Sequence, residues 1–160
     1  MSGRRVIFLD RDGTLNEEPA DEQVDAIEKI RLMPHVVPAL LELRRAGFDL
    51  VIVTNQDGLG TPSLPREHFE RAHRFILDLF ATQGITFEAV FICPHFKNQG
   101  CDCRKPGTGL LQEYLADKPI DRRRSFVVGD RDTDLQFASN LGVQGLRIGL
   151  DGPPEQSWPG

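Results

Sequence analysis

The sequence predicts an α/β fold, a parallel sheet with helices on both faces. Two observations predict it. Short, wholly apolar runs rich in Val, Ile and Phe recur along the chain, the signature of strands buried on both sides. Between them lie longer stretches whose apolar residues return at helical spacing, so strand and helix alternate. A third observation concerns chemistry. Three of the strands end in acids, hydroxyls or amides, and in open α/β sheets ligands bind beyond the carboxyl ends of the strands.

The first strand is residues 6–9, four apolar residues running straight into Asp10-Arg11-Asp12-Gly13-Thr14. Residues 16–31 form an acidic loop with Glu17, Glu18, Asp21, Glu22 and Asp25. A helix follows through Val37, Leu40, Leu41 and Leu43, with Pro34 and Pro38 near its start and Gly47 as its stop. Residues 49–54 are a second buried strand, closed by Thr54-Asn55. After a glycine-containing loop at 56–64, Pro65 starts a helix. Its apolar stripe is Phe69, Ala72, Phe75, Ile76, Leu79 and Phe80, and Gly84 ends it. A third strand at 87–92 leads into a cysteine cluster, and a short helix runs from about Gly109 through Leu115. Residues 125–128 are a fourth strand ending in Gly129-Asp130. A helix at 132–141 and a fifth strand at 144–148 complete the pattern. Residues 1–148 read as one domain, and the Pro/Gly-rich 149–160 as a loose tail or linker. The gap after the first strand is short for an inserted cap domain, so the site is expected to be open.

The chain has 160 residues, 39% hydrophobic and 27% charged, with a formal net charge of −5. That is an ordinary globular composition. The charge argues against nucleic acid as a partner, while local cations or a metal leave room for a phosphate ligand. No run is long enough for a membrane span. Met1-Ser2-Gly3-Arg4-Arg5 lacks the apolar core of a secretory signal, so a cytoplasmic location is expected.

Asp10, Asp12, Thr54, Asn55, Lys105, Asp130 and Asp134 should gather at one sheet edge. Carboxylates and carbonyls suit Mg²⁺. Asp10 could then be a nucleophile, Asp12 a general acid and base, and Thr54 and Lys105 partners for phosphoryl oxygens. An EF-hand reading fails on the glycine position, and no P-loop pattern is present. Cys93, His95, Cys101 and Cys103 form a compact Cys₃His set, the ligand chemistry of structural Zn²⁺. Arg104 and Lys105 follow the last cysteine, so fastening this loop would fix where the ammonium lands. His35, His68 and His73 read as surface or helix residues, and Trp158 as a docking or exposed tail residue.

Asp10-Arg11-Asp12-Gly13-Thr14, Thr54-Asn55, Arg104-Lys105-Pro106 and Gly129-Asp130-Arg131-Asp132-Thr133-Asp134 resemble the four motifs of haloacid-dehalogenase superfamily phosphatases, in order and over nearly the whole chain. The resemblance implies a Rossmann-like core without a large cap and with a small zinc-binding loop. It implies Asp10 as nucleophile and Asp12 as general acid/base. Mg²⁺ would be held by the Asp10 side chain, the Asp12 backbone carbonyl and the Asp130 side chain, with Asp134 behind those ligands or contacting through water and Asp132 structural. The zinc loop narrows the resemblance to histidinol-phosphate and D-glycero-D-manno-heptose bisphosphate phosphatases. The stretch Thr54-Asn55-Gln56-Asp57-Gly58-Leu59-Gly60-Thr61, the short spacer after His95 and Glu17-Glu18-Pro19 favour the former. They resemble the phosphatase half of bifunctional histidine-biosynthesis enzymes, so the chain could be part of a longer one. A small phosphate ester is the implied partner, with Asn55, Arg104 and Glu18 as substrate contacts. The acids Glu17, Glu18 and Asp57 suit a substrate ammonium. The rival readings are a heptose bisphosphatase, a receiver-like signalling domain and a silent zinc-bearing assembly module. Receivers place the acceptor Asp on the third strand rather than the first.

Overall fold

The structure, a computed structural model, describes residues 3–149 and 157–159. Met1, Ser2, residues 150–156 and Gly160, hence most of the expected tail, lie outside the described residues. Strands β1 (Val6–Leu9), β2 (Asp49–Asn55), β3 (Ala89–Cys93), β4 (Phe126–Gly129) and β5 (Gln144–Arg147) form one parallel sheet in the order β3-β2-β1-β4-β5. Every expected strand is present, with ends moved by a residue or two. β1 is central and completely apolar, as a strand covered on both faces must be.

Alternate side chains of the strands feed two cores. Ile7, Leu9, Leu50 and Ile52 pack with Val36, Ala39 and Leu40 of α1 (Val36–Arg45) and with Ala72, Ile76 and Phe80 of α2 (Arg66–Thr82). Val6, Phe8, Val51, Val53 and Val127 face the other way. They pack with Phe137, Ala138 and Leu141 of α4 (Asp132–Leu141), while Tyr114 and Leu115 of α3 (Gln112–Asp117) pad that cluster. The sheet therefore has helices on both faces. Pro38 sits in the first turn of α1, where a missing N–H costs nothing. Gly142, at φ 76°, supplies the left-handed cap that stops α4. No helix among the described residues is long and apolar enough to cross a membrane.

Trp158 is neither exposed nor free to dock elsewhere. It is 7% exposed, joins the core beside Ile7 and Val128, and its indole N–H donates to the Thr14 carbonyl at 2.7 Å. An isolated Trp in a Pro/Gly-rich stretch looks unstructured by local pattern. Its large apolar area and one donor are satisfied by a tertiary contact that no local signal encodes.

Candidate active site

β1 leaves the sheet at Asp10, whose N–H still bonds the Val128 carbonyl on β4 at 3.0 Å. The chain then turns tightly, with Leu15 N–H on Arg11 O at 2.8 Å and Gly13 N–H on Asn16 O at 2.7 Å. Gly13 takes φ 84°, and a Cβ there would lie 2.1 Å from Asp130 Oδ2. Glycine thus allows the loop after β1 to press against the loop after β4. Gly129 plays the same part for Asp134, whose carboxylate lies 2.2 Å from where a Cβ would stand.

Lys105 reaches the site from the cysteine loop and is 4% exposed. Its Nζ donates to Asp10 Oδ1 at 2.9 Å, Asp134 Oδ1 at 2.8 Å and the Val53 carbonyl at 2.7 Å. Burial works against its charge, but Asp10 and Asp134 outweigh it and raise its pKa. Asn55 holds the Lys105 peptide at both ends, accepting from its N–H at 3.0 Å and donating to its carbonyl at 3.3 Å. Asn55, expected to meet substrate, thus spends its amide anchoring Lys105, although it also lines the cleft.

Carboxylate oxygens of Asp10, Asp130 and Asp134 lie within 4.8 Å of one another. Burial pushes the Asp10 carboxyl well above its usual range; Lys105 pulls it back, and Asp134 and Asp130 push further. Burial also raises Asp130. Three clustered acids with one ammonium among them, bonded to Asp10 and Asp134, leave negative charge uncompensated. Asp130 Oδ1 is buried and has no hydrogen-bond partner among the described residues. An orphaned oxygen in an all-oxygen acid cluster fits a hard divalent cation.

Asp12 stands apart from that cluster. Its Oδ1 accepts from Arg11 Nε at 2.8 Å and Asn16 Nδ2 at 2.9 Å. Its Oδ2 accepts from Gln56 Nε2 at 3.0 Å and an Arg11 terminal nitrogen at 3.2 Å. Burial alone would raise Asp12, but Arg11, with Asn16 and Gln56, brings it below the ordinary range. Gln56 Nε2 also donates to Thr54 Oγ1 at 2.9 Å, tying Thr54 into the same network.

Asp10, Asp12, Thr54, Asn55, Lys105 and Asp134 line an open cleft of about 570 Å³, together with Glu18, Glu22, Asp57, Arg104 and Arg131. Glu18 meets Arg131 at 2.5 Å; burial pushes its carboxyl up to about 7 against that pull. Arg104 pairs with Asp57 and also donates to the His95 carbonyl at 3.2 Å. Glu18 and Arg104, two of the three expected substrate contacts, are therefore already ion-paired. Asp132 is exposed and pairs with Arg147 at 2.6 Å, as a structural residue would.

Cys93, His95, Cys101 and Cys103 converge as expected. Cys103 Sγ lies 3.0 Å from Cys93 Sγ and 3.1 Å from His95 Nδ1, and Cys93 and Cys101 sulfurs are 3.7 Å apart. All three cysteines are free thiols, and the four ligand atoms are close enough to share one metal ion.

The structure thus brings together Asp10, Asp12, Thr54, Lys105 and Asp130. Residues that sequence reasoning missed are Arg11, Asn16, Gln56 and Arg131. A signal existed for Arg11: a cation between two acids, directly after a buried strand, is better placed to neutralise one of them than to reach solvent. His73, expected at the surface or on a helix, is on α2 but half-buried, its Nδ1 3.0 Å from an Arg11 terminal nitrogen.

Comparisons with known proteins agree with this geometry. A family model described as HAD-hydrolase-like matches residues 102–149. The histidine biosynthesis bifunctional protein HisB of Campylobacter jejuni is 52% identical over 156 residues, which is 97% of this chain and 43% of that protein. HisB of Legionella pneumophila is 54% identical over 145 residues, 91% of this chain and 41% of that protein. The chain thus spans less than half the length of these curated relatives. Among solved structures, D,D-heptose 1,7-bisphosphate phosphatase from B. bronchiseptica, complexed with magnesium and phosphate, superposes with a TM-score of 0.77. It is 28% identical, and the match covers 90% of this chain and 80% of that one. A putative HAD-like phosphatase from Mesorhizobium loti gives a TM-score of 0.81 at 28% identity, covering 97% of this chain and 78% of that one.

Proposed function

We propose that this chain, which belongs to the haloacid-dehalogenase-like hydrolases, is a Mg²⁺-dependent phosphomonoesterase that hydrolyses L-histidinol phosphate to L-histidinol and phosphate in histidine biosynthesis. The observation that carries the chemistry is the convergence of Asp10, Asp12, Thr54, Lys105 and Asp134 on one cleft at the strand ends, with the Asp130 carboxylate beside those of Asp10 and Asp134. The likeness to the bifunctional HisB proteins, at about half of all positions, supports the substrate. The likeness to the heptose bisphosphatase structure supports the alternative substrate, at a lower identity.

An Asp10 carboxylate oxygen attacks phosphorus and the ester P–O bond breaks, with Asp12, once protonated against the pull of Arg11, giving that proton to the leaving oxygen. Asp12 then takes a proton from water, whose oxygen attacks the aspartyl-phosphate. Phosphate leaves and Asp10 is restored. Lys105 pulls Asp10 toward its ionised, nucleophilic form, against burial and the neighbouring acids. Asp12 has all four of its in-plane acceptor sites filled, so it must release one donor to handle a proton. Gln56 is the partner to yield, since it is neutral and already shared with Thr54. Mg²⁺ held by Asp10, the Asp12 backbone carbonyl and Asp130 would supply positive charge to the phosphoryl oxygens.

Zn²⁺ on Cys93, His95, Cys101 and Cys103 would be structural, since four protein ligands leave no open position. Its work would be to fix the Arg104–Lys105 segment. Residues 1–148, with Trp158 seated on their core, are the phosphatase unit of a longer bifunctional protein in this reading, and the rest of 149–160 its linker.

The test is phosphate release from histidinol phosphate with and without Mg²⁺, in wild type and Asp10→Asn, beside heptose bisphosphate. Mg²⁺-dependent release by wild type alone, with histidinol phosphate the better ester, is expected. Equal rates in the two proteins would remove Asp10 as nucleophile, and preference for heptose bisphosphate would transfer the chain to the alternative.

A further inference from the structure

Arg11 is fully buried at 0% exposure, although the chemistry above assigns it nothing. Its guanidinium grips both oxygens of Asp12 through Nε and a terminal nitrogen. The other terminal nitrogen meets His73 Nδ1 at 3.0 Å, and the guanidinium carbon lies 4.9 Å from the centre of the Phe69 ring. Phe69 and His73 stack on each other at 5.2 Å with 13° between their planes. They stand four residues apart on α2, hence on one helix face. An arginine has only donors, so His73 Nδ1 must accept and the ring proton must sit on Nε2. Burial and the Arg11 charge depress the His73 pKa to about 4, consistent with that neutral tautomer.

We infer that Arg11, braced by neutral His73 and by Phe69, is the positioning residue that aims the Asp12 carboxylate at the leaving oxygen. A planar guanidinium bound at two points fixes the plane of a carboxylate, whereas one side-chain bond would let it rotate. The brace in turn fixes the guanidinium: His73 accepts one of the N–H groups that Asp12 leaves unused, and Phe69 closes its face. α2 thereby reaches into the site without touching substrate. The inference rests on the reading of Asp12 as the leaving-group acid.

The test uses leaving groups of different basicity. An alkyl ester, L-histidinol phosphate, needs a proton on its departing oxygen; p-nitrophenyl phosphate, whose phenolate leaves readily, does not. The ratio kcat/KM for the two esters reports the acid step. Arg11→Met would put folding itself at stake, so His73 carries the test. His73→Leu keeps the bulk against Phe69 and removes the acceptor; His73→Asn keeps an acceptor. His73→Leu should lower kcat/KM for the alkyl ester by about tenfold while the aryl ester changes less than about twofold, and His73→Asn should recover most of the loss. Asp12→Asn is the reference and should show the same selectivity more strongly. Equal losses on both esters in His73→Leu, or none, with Asp12→Asn still selective, would overturn the brace alone. An unselective Asp12→Asn would overturn the acid reading of Asp12, and the brace with it.

Discussion

The Lys105 ammonium lies 2.9 Å from the Asp10 carboxylate and 95 positions from it in sequence. The same ammonium reaches Asp134 at 2.8 Å, so one cation serves two buried acids. Lys105→Met would leave both without a counter-charge, and stranding one half of a buried pair costs about 3–5 kcal/mol. A denaturant titration should show a loss of that size, and phosphatase activity should fall with it. Added Mg²⁺ should restore part of the stability, because a cation binding the same acids only in the folded state stabilises it.

Gly13→Ala tests the close approach of the loops after β1 and β4. An alanine at φ 84° is strained by about 1–2 kcal/mol, and its Cβ would collide with Asp130 Oδ2. The Asp130 carboxylate must move, so Mg²⁺ affinity measured calorimetrically should weaken. The cysteine cluster shares no residue with this contact, and bound zinc should stay unchanged. Intact Mg²⁺ affinity in Gly13→Ala would mean that Asp130 does not hold the cation.

The cysteine cluster makes a separate demand. Purified protein should carry about one zinc per chain, measured by atomic absorption. A strong chelator should remove it, lower activity and loosen residues 93–105 to hydrogen exchange, since Lys105 follows Cys103 by two positions. Unchanged turnover with zinc gone would rule out the positioning role.

Much of this was legible in the chain because burial on both faces leaves a strand no polar residues to hide it. Val6–Leu9 and 49–54 read as strands for that reason, and their polar ends marked the cleft. The Cys₃His set was legible because its members are close in sequence as well as in space. The network around Asp12 was not. Arg11 looks like a loop cation, Gln56 like a loop amide, and His73 like any polar residue on an amphipathic helix. Their meeting depends on the loops after β1 and β2 and on α2 coming together, as the Arg11–His73 and Gln56–Asp12 contacts show, a tertiary fact that spacing within α2 cannot express. Trp158 escaped for the same reason.

Glu18 tests the substrate. Its carboxylate lines the cleft and is shared with Arg131 at 2.5 Å. If it meets the substrate ammonium, Glu18→Gln should raise KM for histidinol phosphate by about tenfold, the range expected for a charge-assisted hydrogen bond. A small neutral phosphate ester should be affected far less. Equal effects on both would remove Glu18 from the substrate site and leave it as a partner of Arg131 only.

His73 gives a prediction in pH. Burial first, and the Arg11 charge second, hold its folded pKa near 4, against an ordinary 6.5. As pH falls below 6.5 the unfolded chain takes a proton on this ring and the folded chain does not. The unfolded state then binds more protons, so stability must drop as pH is lowered. The contribution is fully present above 6.5, declines between 6.5 and about 4, and is spent below that. Carboxylates also titrate toward the acid end of this window, so the measurement is a difference. Thermal melts of wild type and His73→Asn should run parallel above pH 7. Between pH 6.5 and 4.5 wild type should lose stability faster than the variant, because asparagine has no proton to take. Curves that stay parallel to pH 4.5 would mean that the ring takes its proton as readily in the folded chain as in the unfolded one, which a ring nitrogen engaged by the Arg11 N–H, as the brace requires, cannot do.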